Sequence, residues 1–183
     1  HEHRRQRQMC IRDRIYDKGI PENCHKIESN SFKHMEDIAK RFSQGEDIFS
    51  TEIKSPVNKR ASFKREMHSV QEWLTFIRFL PSVLSEQQMT ALDKNLKFTA
   101  WTNAEIQFEW FMKAISSDYS TAYPAIESFL SKVGRRKFIL PLYTQLYSFE
   151  HSKKMALDWF GVFKGNYHAV SSNSIAAALE IGK

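Results

Sequence analysis

The chain has 183 residues, 42% of them hydrophobic, with 14 Phe, 6 Tyr and 4 Trp, which is enough to bury a core and too apolar for a disordered segment. The formal charge of +6 is less than a nucleic-acid signal, because residues 1–14 carry half of it, and no run approaches the roughly 20 apolar residues that span a bilayer. Two cysteines, Cys10 and Cys24, exclude a disulfide framework and lack zinc-ligand spacing; that usage favours a cytoplasmic setting without fixing one.

The opening stretch, HEHRRQRQMCIRDR, has neither apolar periodicity nor the hydrophobic region of a secretory signal. Its MCIRDR core resembles translated sequencing-adapter DNA, so residues 1–14 are expected to be a non-native leader with the native N-terminus missing. A basic arm for nucleic acid would use the same arginines and ranks below that reading. From Ile15 onward the punctuation is helical. Over residues 31–44, Phe32, Met35, Ile38 and Phe42 form a stripe, with Ser31 as candidate N-cap and Gly45 as the stop. Gly45 to His68, including KSPVNKRASFKRE, reads as a solvated basic linker.

Three capping boxes then follow in under forty residues. Ser69 and Glu72 precede Val70, Trp73, Leu74, Ile77 and Leu80, and Pro81 ends that helix. Ser85 and Gln88 precede Met89, Leu92 and Leu96; Thr102 and Glu105 precede Ile106, Trp110, Phe111 and Ala114. Pro124 suits a first turn ahead of Ile126, Phe129, Leu130 and Val133, with Gly134 expected as a left-handed terminator. Phe138, Leu142, Leu146 and Phe149 line the next helix. Ser152 is expected to open another, with Met155, Ala156, Trp159, Phe160 and Phe163, and a short last helix carries Ile175, Ala178 and Leu179. The fold class is all-α: a right-handed α-α superhelix or helical-pair stack of about eight short helices, consecutive ones antiparallel.

Chemistry is sparse. HEHRR has Arg5 where a zinc-binding H-E-x-x-H helix needs its second histidine, and His25, His34, His68, His151 and His168 show no metal spacing, so capping or surface roles are expected and no metal residue is assigned. The aromatic stripes have core spacing rather than the cation-interleaved pattern of a base-stacking platform. What stands out is VGRRKFILPLY, with Arg135, Arg136 and Lys137 against an apolar run. Cations following a helix C-terminus complement its carbonyls, at about 0.3–1 kcal/mol each. The spacing also allows two of the three to converge on one anion, an arginine supplying a planar fork for a carboxylate and a lysine a mobile charge.

TNAEIQFEWFMKAI, PAIESFLSKVGRRKFILPLY and NYHAV, in that order, resemble the C-terminal helical domain of the leukotriene A4 hydrolase-like zinc aminopeptidases of peptidase family M1. The likeness is dense from Trp101 to Val170 and extends through SVQEWLTFIRFLP; IYDKGIPENCHKIESN resembles the segment that joins the catalytic domain to this one. The resemblance implies residues 15–30 as a connecting segment, residues 31–183 as the C-terminal helical domain, and Arg135 and Lys137 of the G-R-x-K-F motif as binders of the substrate's terminal carboxylate. Ala169 stands where the family commonly has proline. The implied parent releases N-terminal residues from peptides with zinc held in a catalytic domain outside this chain. The chain itself then lacks a cofactor and a catalytic residue, is inactive alone, and has a peptide and the parent's catalytic domain as partners, with no membrane or nucleic acid. The alternatives are a free-standing helical scaffold that binds proteins and, below it, a basic nucleic-acid binder.

Overall fold

The computed structural model describes residues 30–50 and 68–181; the readings of residues 1–14, of 15–29 and of the basic stretch 51–67 lie outside these. Among the described residues the protein is all-helical, without strands. The helices are α1 (Asn30–Ser43), α2 (Val70–Phe79), α3 (Glu86–Leu96), α4 (Ala104–Ser116), α5 (Tyr123–Lys132), α6 (Arg136–Ser148), α7 (Glu150–Phe163) and α8 (Ala169–Ala178). Single 3₁₀ turns at Phe98–Ala100, Ser120–Ala122 and Lys164–Asn166 link α3 to α4, α4 to α5 and α7 to α8.

Helix starts follow local chemistry. Ser69 and Ser85 form complete capping boxes with Glu72 and Gln88, each hydroxyl taking the amide three residues on while that residue's side chain returns to the cap amide. At the end of α2, Leu80 turns extended (φ −63°, ψ 150°) directly before Pro81, the conformation a following proline imposes. Gly45 ends α1 in the left-handed region (φ 89°), accessible to it without a Cβ penalty. Two expected serine caps fail. Ser31 lies inside α1, which begins at Asn30. Ser152 is buried in the first turn of α7 and donates to Leu146 O at 2.7 Å, while Phe149 takes the cap position with no side-chain bond.

The most extensive packing joins the consecutive helices α6 and α7; alternate helices also pack, α6 on α8, α2 on α4 and α4 on α6, and α7 touches α5. The densest region is aromatic. Trp73, Phe98 and Trp110 are buried together, with ring centroids 5.6 Å apart for Trp73–Phe98 and 5.1 Å for Phe98–Trp110. Two indole N–H groups are answered locally: Trp110 Nε1 donates to Thr99 Oγ1 at 3.0 Å and the neighbouring Trp101 Nε1 to Leu96 O at 3.0 Å. Trp159 and Phe163, expected in the core, are only partly covered along α7. Among the described residues no helix is long and apolar enough to cross a membrane.

Candidate functional site

α5 ends at Lys132, and Val133 closes it in an extended conformation, its amide bonded to Phe129 O at 2.8 Å. Gly134 does not take the left-handed conformation expected of it; among the described glycines only Gly45 does. Left-handed residues occur instead at Lys97, Asp118 and Glu180. The chain passes from Val133 through Gly134 into α6, and Arg135 becomes the N-cap (φ −73°, ψ 116°) without a side-chain bond to the helix.

Arg135, Arg136 and Lys137 therefore crowd the N-terminus of α6. The carbonyl-complementing placement after a helix C-terminus is not what holds them. A helix N-terminus carries partial positive charge and amides without intrahelical partners, so added cations there are disfavoured unless an anion offsets them. All three are exposed.

One anion comes from α4. The capping box expected at Thr102 is displaced by one residue: Asn103 is the N-cap, its Oδ1 accepting from the amides of Glu105 at 3.0 Å and Ile106 at 3.3 Å. Asn is also the stronger N-cap of the two residue types, a signal present in the sequence. The displacement makes Glu105 the second helical residue instead of the third, so its carboxylate does not fold back on the cap. It reaches across to α6 and accepts from Lys137 Nζ at 2.6 and 2.8 Å.

Arg135 has no acidic partner among the described residues, and its guanidinium lies 5.7 Å from the centroid of the Phe138 ring. Lys137 Nζ lies 5.2 Å from the same centroid. Phe138 is buried, with ring contacts to Phe108 of α4 at 5.5 Å and Phe129 of α5 at 6.2 Å. The two cations thus share one aromatic support anchored in two neighbouring helices, worth about 0.5–1 kcal/mol per contact where exposed. Glu105 and Phe138 are the residues that sequence reasoning left without a role at this site.

The corner is fastened from behind by the Tyr-His step. Tyr167 is buried, donates to Leu130 O at 2.8 Å and meets Tyr143 OH at 3.0 Å, joining α5, α6 and the entry to α8. His168 caps α8, Nδ1 accepting from Val170 N at 3.3 Å, so the capping role expected for a histidine is found here; Ala169 is simply the first helical residue. Pro141 inside α6 lacks the amide that would bond the carbonyl of Lys137. Among the described residues no group of three His, Cys, Asp or Glu side chains is arranged to hold a metal ion.

The family described as "Leukotriene A4 hydrolase, C-terminal" matches residues 68–179. Leucine aminopeptidase 2-1 of Meyerozyma guilliermondii is 32% identical over 79 residues, covering 43% of this chain and 12% of its own length. Leukotriene A-4 hydrolase of Xenopus laevis is 30% identical over 79 residues, covering 43% and 13%. The solved structure of native leukotriene A4 hydrolase from Saccharomyces cerevisiae matches with a TM-score of 0.73 at 20% identity, covering 96% of this chain and 30% of that one, a likeness of fold. The chain spans only 12–13% of the two curated relatives.

Proposed function

Because the chain belongs to the leukotriene A4 hydrolase C-terminal family, we propose that it is the helical portion of a larger zinc-dependent aminopeptidase, in which it walls the peptide channel and binds the substrate's terminal carboxylate. Arg135 is the primary binder. Its guanidinium presents paired N–H donors that match a carboxylate in bidentate fashion, and Lys137 adds a second cation alongside. The observation that carries this reading is Arg135 itself: an exposed fork on an uncapped helix N-terminus, steadied by Phe138 and without an acidic partner among the described residues.

Zinc would supply the activated water for amide hydrolysis. In this reading that step falls to the catalytic domain proposed as this chain's partner. Here the chemistry is positional. Holding the far end of a short peptide fixes which amide reaches the catalytic centre.

The test compares a free-acid tripeptide with its C-terminal amide in the parent enzyme. Replacing Arg135 by alanine is expected to lower kcat/KM for the acid by the equivalent of about 2–4 kcal/mol and to leave the amide nearly unchanged. An unaltered acid-to-amide ratio would refute the anchoring role.

A further inference from the structure

The cation pair is not symmetric: Lys137 is held by both oxygens of Glu105, whereas Arg135 is free of acidic partners among the described residues. Resting on the anchoring reading above, we infer that Glu105 is a specificity-determining residue, which occupies Lys137 and tunes the site to ligands bearing a single carboxylate.

The geometry supports this in three respects. Glu105 is freed for the task by Asn103, which caps α4 without using it. The pair spans 32 positions and two helices, so it is built by the tertiary fold and is not a local helix-surface pair. Both cations contact the same Phe138 ring, at 5.7 and 5.2 Å from its centroid, so Arg135 and the Lys137–Glu105 pair share one support and belong to one surface. A ligand with a second carboxylate, such as a peptide ending in an acidic residue, would find the neighbouring ammonium already neutralised and would face the Glu105 carboxylate. Removing the Glu105 charge frees Lys137 to accept that second group. Arg136 contributes the same charge with and without Glu105, so the change in preference is independent of it.

The experiment uses the parent enzyme with this domain isotopically labelled, titrated with N-acetylglycine (one carboxylate) and N-acetylaspartate (two) and followed by the amide NMR signals of Arg135 to Phe138 and the ammonium signal of Lys137. In the unmodified enzyme, N-acetylglycine is expected to bind at least as tightly as N-acetylaspartate. Glu105→Gln, which keeps size and helix start, should shift the ratio toward N-acetylaspartate by about two- to fivefold, the range for one partly exposed charge pair. Adding Lys137→Met to Glu105→Gln should return the ratio to its original value, a rescue that a merely structural role for Glu105 would not produce.

An unchanged ratio in Glu105→Gln, with binding intact, overturns the inference and leaves the anchoring reading standing. Absence of shifts at Arg135 with either probe in every variant overturns both. A Lys137 ammonium signal unaffected by Glu105→Gln also overturns the inference, because it shows that the pair does not form.

Discussion

Tyr167 donates its hydroxyl proton to the carbonyl of Leu130 at 2.8 Å and stands 3.0 Å from the hydroxyl of Tyr143, with all three groups buried. Leu130 lies in the last turn of α5, where carbonyls run out of amide partners. Tyr167→Phe leaves that carbonyl and the Tyr143 hydroxyl short of a partner, and is expected to destabilise the chain by about 1–3 kcal/mol. Urea denaturation checks this through a lower midpoint at unchanged slope; a change within experimental error would show that water replaces the phenol.

The same pair gives the protein an alkaline limit. Burial, and for Tyr143 the bond to Tyr167, pushes both phenols above the ordinary tyrosine value near 10. Since the folded values lie above the unfolded one, their contribution is complete below about pH 10 and is lost as pH rises beyond it. The last part of the rise in tyrosinate absorbance should therefore coincide with loss of helical circular dichroism, and Tyr167→Phe should move that joint transition.

Asn103 and Thr102 offer a test of where α4 begins. Asn103→Ala removes a side chain that receives two amides and should cost about 1 kcal/mol, within the range of N-cap losses. Thr102→Ala should stay within about 0.5 kcal/mol, as for exposed sites away from such features. The reverse order in thermal or chemical denaturation would restore the capping box centred on Thr102.

Lys113 closes the end of α2 from another helix. Its Nζ donates to Leu80 O at 2.7 Å and to Pro81 O at 3.1 Å, and burial lowers its pKa from the usual lysine value, opposed by Glu109. Lys113→Met keeps the aliphatic stem but removes the donors, with an expected cost of about 1–3 kcal/mol. Amide exchange should rise at the C-terminal end of α2; uniform exchange would argue against a local capping role.

Acid should loosen the chain in two stages. Burial holds His34 and His68 below the ordinary histidine value, and His68 packs edge-on against Trp73 at 5.2 Å. A depressed folded value means that the unfolded chain binds the proton more readily, so stability present above about pH 6.5 declines as pH falls. Glu72 is also held low, by its bonds to the Ser69 amide and hydroxyl against the opposing effect of burial, and its contribution fades only below the usual carboxylate value. His68→Gln should lessen the first decline, leaving the share of His34, and should change the second only slightly, because His68 is a minor contributor beside the Ser69 bonds to Glu72, in urea midpoints measured from pH 7.5 to 4.

Which features were legible in the sequence follows from their range. The Ser69 and Ser85 boxes, the Pro81 stop, the Gly45 terminator and most of the stripes on α1 to α5 depend on residues within one or two turns, and sequence displays those directly; Phe32, the first member of the α1 stripe, is exposed instead. The family resemblance was carried by motifs that fold into one corner: Asn103 caps α4, Phe138 supports the cations and Tyr167 ties the corner down. Misreadings arose where two local chemistries compete. Ser31 and Ser152 can cap helices, but their neighbours start the helix earlier; Gly134 can be left-handed, but its loop leads straight into α6. The Glu105–Lys137 pair was illegible because its partners lie 32 residues apart and the expected box had already assigned Glu105 elsewhere.

The Tyr167 bond also has a meaning in time. Its acceptor lies 37 residues earlier in the chain, so during synthesis at about 5–20 residues per second the α5–α6 corner waits roughly two to seven seconds for its clasp. Throughout that interval the cation-bearing turn is expected to exist as nascent chain with its rear fastening still inside the ribosome. The part of the molecule proposed to meet substrate thus becomes rigid later than its own residues are made, and a chain cut short before Tyr167 would carry this corner without its latch.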